Sequence, residues 1–455
     1  MLRAAIDAYH ELLADDALAA DSQAQLDDQL RRRGLYFGDR PLCTVLRPRF
    51  LDPAQFRFLT RRIAEILAAF RAAHEAALAD ERLLRQFGLE DWEHALLRAP
   101  MGAADPSPTS RLDAFFVGES GGLRFTEYNA ETPAGAAYAD VLAEVFHTLP
   151  VMRRFTRTWE LRPLPAREHV LHALLDSHAE WARAAGRDPR CAPRIAIVDW
   201  REVPTWSEFL LFQDYFVRHG LECVLADPRE LEYGNGTLYA EGRVVDLVYK
   251  RVLLSELVGR GGMEQPLVRA VRDGAVCMVN PPQCKVLHKK SSLAVLSDER
   301  NAHLFTARQQ DAIAAHIPWT RVVEERRTAY DGHEVELLPF AAGHREDLVL
   351  KPHDEYGGKG IVLGWETSPG DWEAALNAAL RGPYILQKRV EIPVEPYPSL
   401  VNGRAVVIDR MVDTAPYVAH GRYVDGCLTR LGTAALLNVT AGGGSQTPTF
   451  GVERR

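Results

Sequence analysis

Apolar residues recur at spacings of three and four through the first hundred positions, a pattern that predicts helices. Asp52 followed by Pro53 reads as an N-cap with proline at the first helical position. Phe56, Leu59, Ile63, Ile66 and Phe70 then make one stripe, the buried face of a structural helix packed on something larger. The period changes after the loop Ala-Ala-Asp-Pro-Ser-Pro-Thr-Ser at 103–110. Two short runs, Leu112 to Val117 and Leu123 to Tyr128, flank Gly-Glu-Ser-Gly-Gly and predict a β-hairpin. Side chains alternate faces along a strand, so Glu127 and Asn129 are expected to point the same way.

The proline- and arginine-rich stretch Arg162 to Arg167 predicts a boundary. Beyond it, Arg194 to Asp199 reads as a buried strand, and a helix runs from about Trp206 to His219 with Gly220 as its stop. Cys223 to Ala226 follows as a second strand, completing a βαβ unit of a parallel sheet. Val244 to Lys250 predicts one further strand, ending on Lys250-Arg251. Leu348 to Lys351 and Ile361 to Leu363 bracket a glycine-rich turn. A helix from about Asp371 to Leu380 and a strand, Tyr384 to Gln387, come next. Short strands fill the tail as far as Ala441-Gly-Gly-Gly-Ser445. No internal repeat or low-complexity segment is present.

The chain has 455 residues, 54 Lys+Arg against 62 Asp+Glu, and a net charge of −8; 47% of it is hydrophobic and 25% charged. That balance belongs to a soluble globular protein and excludes disordered, collagen-like and coiled-coil chains. The acidic balance also argues against a dedicated nucleic-acid binder. The six cysteines have no CxxC spacing, so buried, reduced thiols and a cytoplasmic location are expected. The N-terminus lacks the uninterrupted apolar run of a signal peptide, and no run of about 18 apolar residues predicts a membrane span.

The glycine-rich turn at 355–360 is the most informative segment. Glycines let backbone amides approach a phosphate, yet this is not a Walker A loop, because Gly360 follows Lys359 where Ser or Thr is required. Tight hairpins favour glycine for their own sake, and an ordinary turn is the other reading. Lys351 at a strand end suits a nucleotide phosphate, or simply snorkels to solvent. Glu355, Glu127 and Asn129 supply oxygen ligands suited to magnesium, or else stand as exposed polar residues. Together with several arginines, the set suits phosphoryl transfer, which rests on positioning and charge neutralisation.

In this order along the chain, from about Arg111 to Gly444, the sequence resembles the circularly permuted ATP-grasp ligases: eukaryotic-type glutathione synthetase and the synthetase domain of glutathionylspermidine synthase. Arg111-Leu-Asp113 and Glu127-Tyr-Asn129 are similar to the family's Arg-x-Asp and metal-binding Glu-x-Asn. Asn280-Pro281 with Lys289-Lys290 resembles the segment of the first nucleotide lysine, the spacing favouring Lys290. Lys351-Pro352, Glu355 and Gly357-Gly358 look like its second lysine, metal glutamate and lid loop, with Lys359 on that loop. Gln387, Lys388, Arg389 and Val390 resemble the hinge that reads adenine, and Asp413 a nucleotide-site acid. Arg430 resembles the substrate-carboxylate arginine, Ala441-Gly442 the terminal glycine-rich loop, and Arg251 a further substrate contact.

The resemblance implies a mixed α/β (α+β) fold: a circularly permuted ATP-grasp core, a parallel-sheet substrate domain and a mobile lid. It divides the chain into 1–165 (helices and metal-binding part of the core), 166–285 (βαβ substrate domain), 286–400 (lid and nucleotide domain) and 401–455 (the rest of the core). It implies an ADP-forming carboxylate–amine ligase using ATP and magnesium through an acyl phosphate, with Arg111, Arg430 and Lys351 catalytic. Metal would bind Glu127, Asn129 and Glu355. Substrates would meet Arg111, Thr132, Glu202, Arg251, Arg430, Ala441 and Gly442. The partners implied are a small-molecule or peptide carboxylate and an amine, with neither nucleic acid nor membrane, and a homodimer by analogy. Alternatives are a non-catalytic ATP-binding homologue and a small-molecule phosphotransferase of the same fold. Two departures bear on substrate: Lys359 is a cation where glutathione synthetases carry small or amide residues, and Pro204 replaces the asparagine two residues after the position of Glu202.

Overall fold

The computed structural model describes residues 1–102, 104–118, 122–355, 357–433 and 444–455. The central sheet draws on both ends of the chain. Its order is Val394–Val401, Arg404–Val412, Tyr423–Gly432, Ala415–Ala419, Thr109–Phe116 and Leu123–Asn129, with Ser445–Thr447 added beside Tyr423–Gly432. An antiparallel pairing joins the two halves, setting Tyr417 opposite Arg111 and Val418 opposite Ser110. The expected hairpin is present. Arg111 faces Asn129 and Asp113 faces Glu127, with a register shift between Asp113 and Ala114. Directly opposed residues share a face, so these four side chains are neighbours.

The first-hundred helix that matters most here is Pro53–Ala79. Asp52 caps it, accepting from the Gln55 amide at 2.9 Å, while the Gln55 side chain returns the bond to the Asp52 amide. Leu59, Ile63, Ile66 and Phe70 pack against Leu112, Phe116 and Phe125, so this helix backs the hairpin that carries Glu127. Phe56, at the end of the stripe, is only half-buried.

The βαβ reading holds: Ile195–Val198, the helix Trp206–Arg218 and Cys223–Ala226 lie in a parallel sheet ordered Cys277–Val279, Leu247–Lys250, Ile195–Val198, Cys223–Ala226. The single strand expected from Val244 to Lys250 is instead two. Arg243–Val245 pairs with Thr237–Ala240 in a separate sheet, and only Leu247–Lys250 joins the parallel one. Asp246 separates them, because its carboxylate accepts from the Arg194 amide at 3.1 Å and the Arg194 guanidinium at 2.8 Å.

A second antiparallel sheet runs Thr320–Val322, Tyr384–Lys388, Leu348–Pro352, Val362–Leu363. Val349 pairs with Leu363 and closes the glycine-rich hairpin. Trp372 and Leu376 of the helix Pro369–Ala379 pack beneath Leu348, Leu350 and Leu386, fixing this sheet. Cys43, Cys277, Cys284 and Cys427 are buried free thiols as expected, whereas Cys191 is exposed and Cys223 half-buried. Among the described residues, no helix is long and apolar enough to cross a membrane.

Candidate functional site

The two antiparallel sheets face each other across a cleft of about 170 Å³. Asp113, Thr126 and Glu127 line it from the central sheet; Val349, Lys351, Gly357, Gly358 and Ile361 line it from the other. Gln387, Lys388, Arg389 and Val390 form one wall where the strand Tyr384–Lys388 leaves its sheet, and Asp413 and Arg430 close the far side. Phe115, Lys388, Arg389 and Val390 also border a neighbouring groove of about 620 Å³.

Lys290 enters from behind the hairpin. Its Nζ lies 2.8 Å from Glu127 Oε1 and donates to the Glu355 carbonyl at 2.7 Å. Neighbouring Lys289 turns away and pairs with Glu93 at 2.8 Å. Lys351 Nζ donates to Gln387 Oε1 at 2.7 Å and approaches the Thr126 carbonyl at 3.4 Å. Burial lowers the Lys351 pKa to about 8; Glu127 opposes the shift and Lys290 adds to it. Burial and Asp113 push the Glu127 carboxyl up, but Lys290 and Lys351 together leave the group below its ordinary value.

The three expected metal ligands carry the donor types of a hard-cation site, though only Glu127 lines the cleft. Glu127 offers a carboxylate in the cleft, and the Asn129 amide nitrogen is buried with no hydrogen-bond partner. A half-turn of that amide brings its oxygen to the same place. Glu355 is exposed at the base of the glycine loop, tied by its carbonyl to Lys290. Carboxylate and amide oxygens are what magnesium takes.

Arg430 bridges two acids. Its Nη2 lies 2.7 Å from Asp113 Oδ2, and its backbone amide donates to Asp413 Oδ1 at 2.6 Å, with Nε on the other oxygen of Asp413. Arg111 holds Asp113 from the other side through Nε at 2.7 Å and Nη2 at 3.0 Å, while its Nη1 donates to the Ala134 carbonyl. Burial raises the Asp113 carboxyl, yet the two guanidiniums hold it well below the usual carboxylate range. Arg430 therefore lines the cleft, whereas each guanidinium nitrogen of Arg111 is bonded within the protein.

The remaining substrate candidates are scattered. Arg251 is buried and bonded to the Pro133 carbonyl at 2.6 Å and to Glu208 at 3.3 Å. Glu208, which the sequence did not single out, is fully buried and accepts from the amides of Gly135 and Ala137 at the start of the helix Ala136–Thr148. Thr132 is half-buried on the same loop. Glu202 sits at the surface, paired with Arg229 at 2.8 Å and Arg260 at 3.0 Å, and does not border the cleft. Lys359 is exposed on the glycine loop. Ala441 and Gly442 lie outside the described residues.

A largely buried ionic network behind the loop is missed by the sequence reading. Lys285 Nζ lies 2.6 Å from Asp354 and 3.1 Å from Glu131, which also pairs with Lys250 at 3.1 Å and accepts from the Leu254 amide. Glu131, His288 and Asp354 come within 4.8 Å of one another, a metal-like spacing, but the Lys285 ammonium already supplies the cation there. The only sequence signal was the position of Glu131 and Asp354 beside Asn129 and Glu355.

No protein-family model matches the chain. An uncharacterized protein of Mycobacterium leprae (strain TN) is 23% identical over 96% of this chain and 78% of its own length. A Frankia alni protein with the provisional name glutamate–cysteine ligase 2-3 is 26% identical over 66% of this chain, which spans only 33% of that protein. Among solved structures, a glutathione synthetase-like effector from Globodera pallida, in its apo form, superposes with a TM-score of 0.59. That match covers 97% of this chain and 98% of the effector at 12% identity. The chain thus shares its mixed α/β fold with a glutathione synthetase-like protein.

Proposed function

We propose that this chain is an ATP-dependent, ADP-forming carboxylate–amine ligase built on a circularly permuted ATP-grasp core. The observation that carries the reading is that Lys351 and Glu127 line one cleft between two antiparallel sheets, beside a glycine hairpin, with Lys290 paired to Glu127. The full-length likeness to a glutathione synthetase-like fold supports it. So does chain order, with Glu127 and Asn129 preceding the Lys351 hairpin as the permutation requires.

In this reading Lys290 and Lys351 bind phosphate oxygens of ATP, Gly357 and Gly358 let backbone approach them, and Gln387 to Val390 hold the adenine. Magnesium held by Glu127, Asn129 and Glu355 would screen charge between the β- and γ-phosphates. Arg430 orients a substrate carboxylate, one oxygen of which attacks the γ-phosphorus and displaces ADP. An amine then attacks the carbonyl carbon of the acyl phosphate, phosphate leaves, and the amine sheds a proton to give an amide. Closure of the glycine loop keeps water from that reactive anhydride. Residues 286–400 form the nucleotide part and 166–285 the substrate part. Residues 1–165 and 401–455 share the core, as the pairing of Tyr417 with Arg111 supports. Lys359 and Pro204 favour a product other than glutathione.

The experiment is hydroxamate trapping. The full chain with magnesium and ATP is offered pools of carboxylic acids in hydroxylamine, which captures acyl phosphates. ADP release matched by hydroxamate is expected. A stable phosphoester without hydroxamate would make the protein a phosphotransferase and overturn the ligase reading.

A further inference from the structure

The Lys290 ammonium spans two parts of the cleft. It sits 2.8 Å from Glu127 Oε1 on the hairpin and 2.7 Å from the Glu355 carbonyl at the base of the glycine loop. Its side chain is 5% exposed and that of Glu127 26% exposed, so the pair is poorly screened by solvent. Lys351 lies close enough to lower the Glu127 carboxyl further, and its own nearest partner is the neutral Gln387 amide. The carboxylate best suited to a metal therefore already carries a cation, with a second one beside it.

We infer that Lys290 is a built-in counter-ion that keeps divalent metal off Glu127 until nucleotide phosphates draw the ammonium away, so that metal and nucleotide bind only as a coupled pair. The inference rests on the ligase reading above. A divalent ion approaching the nucleotide-free cleft meets two ammonium groups and must compete with Lys290 for the same oxygen. A triphosphate reverses the balance. Each lysine gains phosphate oxygens, Glu127 Oε1 is released, and the incoming metal finds negative charge on both sides. The coupling is reciprocal, so metal tightens nucleotide by the factor by which nucleotide tightens metal.

The test is manganese(II) binding to the full chain, read as loss of the free-ion electron paramagnetic resonance signal, with and without a non-hydrolysable ATP analogue. The native chain should bind manganese weakly alone and about tenfold or more tightly with the analogue, within the usual range of such couplings. Lys290→Met should bind manganese alone about tenfold more tightly than the native chain, because removing a competing charge of this kind is worth at least one decade. A gain of binding cannot come from a misfolded chain. Lys290→Arg, which keeps the cation, should exclude the metal as the native chain does, and Glu127→Gln should abolish the gain when combined with Lys290→Met. Equal manganese affinity for native and Lys290→Met chains, with analogue still bound, overturns the inference and leaves the ligase reading intact. Failure of all variants to bind either manganese or analogue overturns both.

Discussion

Lys351 Nζ lies 2.7 Å from the amide oxygen of Gln387, two strands meeting with Val349 opposite Gln387 and Lys351 opposite Ile385. A neutral oxygen is thus the closest partner of a buried ammonium, and burial outweighs the pull of Glu127 to lower its pKa to about 8. The proton on this lysine is held loosely in a cleft whose proposed ligand needs it.

The folded value lies below the ordinary 10.5, so between about pH 8 and 10.5 the unfolded chain binds the extra proton. Stability from this group therefore rises with pH through that window, and its penalty is fully present below pH 8. Nucleotide affinity runs the other way, since phosphate attracts only the ammonium. Calorimetric titration on either side of pH 8 should show weaker ATP binding above it, and Lys351→Arg should remove the inflection. An affinity flat across pH 8 in the native chain would contradict this role.

Lys285→Met removes the cation shared by buried Glu131 and half-buried Asp354, leaving Glu131 with Lys250 and Asp354 without its close partner. Breaking such a pair from one side costs about 3–5 kcal/mol. Urea denaturation should show a loss of that size, and a variant as stable as the native chain would remove the network from the account.

Gly364 follows the short strand Val362–Leu363, and a Cβ there would lie 1.8 Å from the Arg345 carbonyl oxygen and 2.8 Å from that of Leu348. Backbone cannot yield cheaply, so Gly364→Ala should destabilise by roughly 1–3 kcal/mol, as overpacking does. Gly370 has nothing within 4 Å of its added Cβ. It lies in the first turn of Pro369–Ala379, so Gly370→Ala should be neutral or stabilise by about 0.4–1 kcal/mol. Equal effects of the two changes in thermal melts would contradict the packing described around Arg345.

What the sequence reveals here is local. The Asp52 cap, the Ile63–Phe70 stripe and the alternation that puts Glu127 and Asn129 on one face are set within a few residues. The glycines after Lys351 mark a turn by themselves. Partners across the chain are a different matter. Arg111 reads as a free cation until Asp113 and the Ala134 carbonyl are seen to take its donors. Glu202 fits a family position yet is held at the surface by Arg229 and Arg260. Lys285, Glu131 and Asp354 are placed together by three separate elements, which periodicity cannot anticipate. The split at Asp246 is of the same kind: Val244 to Lys250 reads as one strand until Arg194 is seen to hold the acid between its two halves.

The most direct test of nucleotide binding in this cleft is the melting temperature of the native chain and of Lys351→Met, each with and without magnesium and ATP. Ligand at a hundred times its dissociation constant stabilises by about 2.7 kcal/mol, a shift of a few degrees at this size. A magnesium-dependent rise in the native chain that Lys351→Met abolishes is the predicted result. No rise in the native chain at saturating nucleotide, or an equal rise in the variant, would contradict the account.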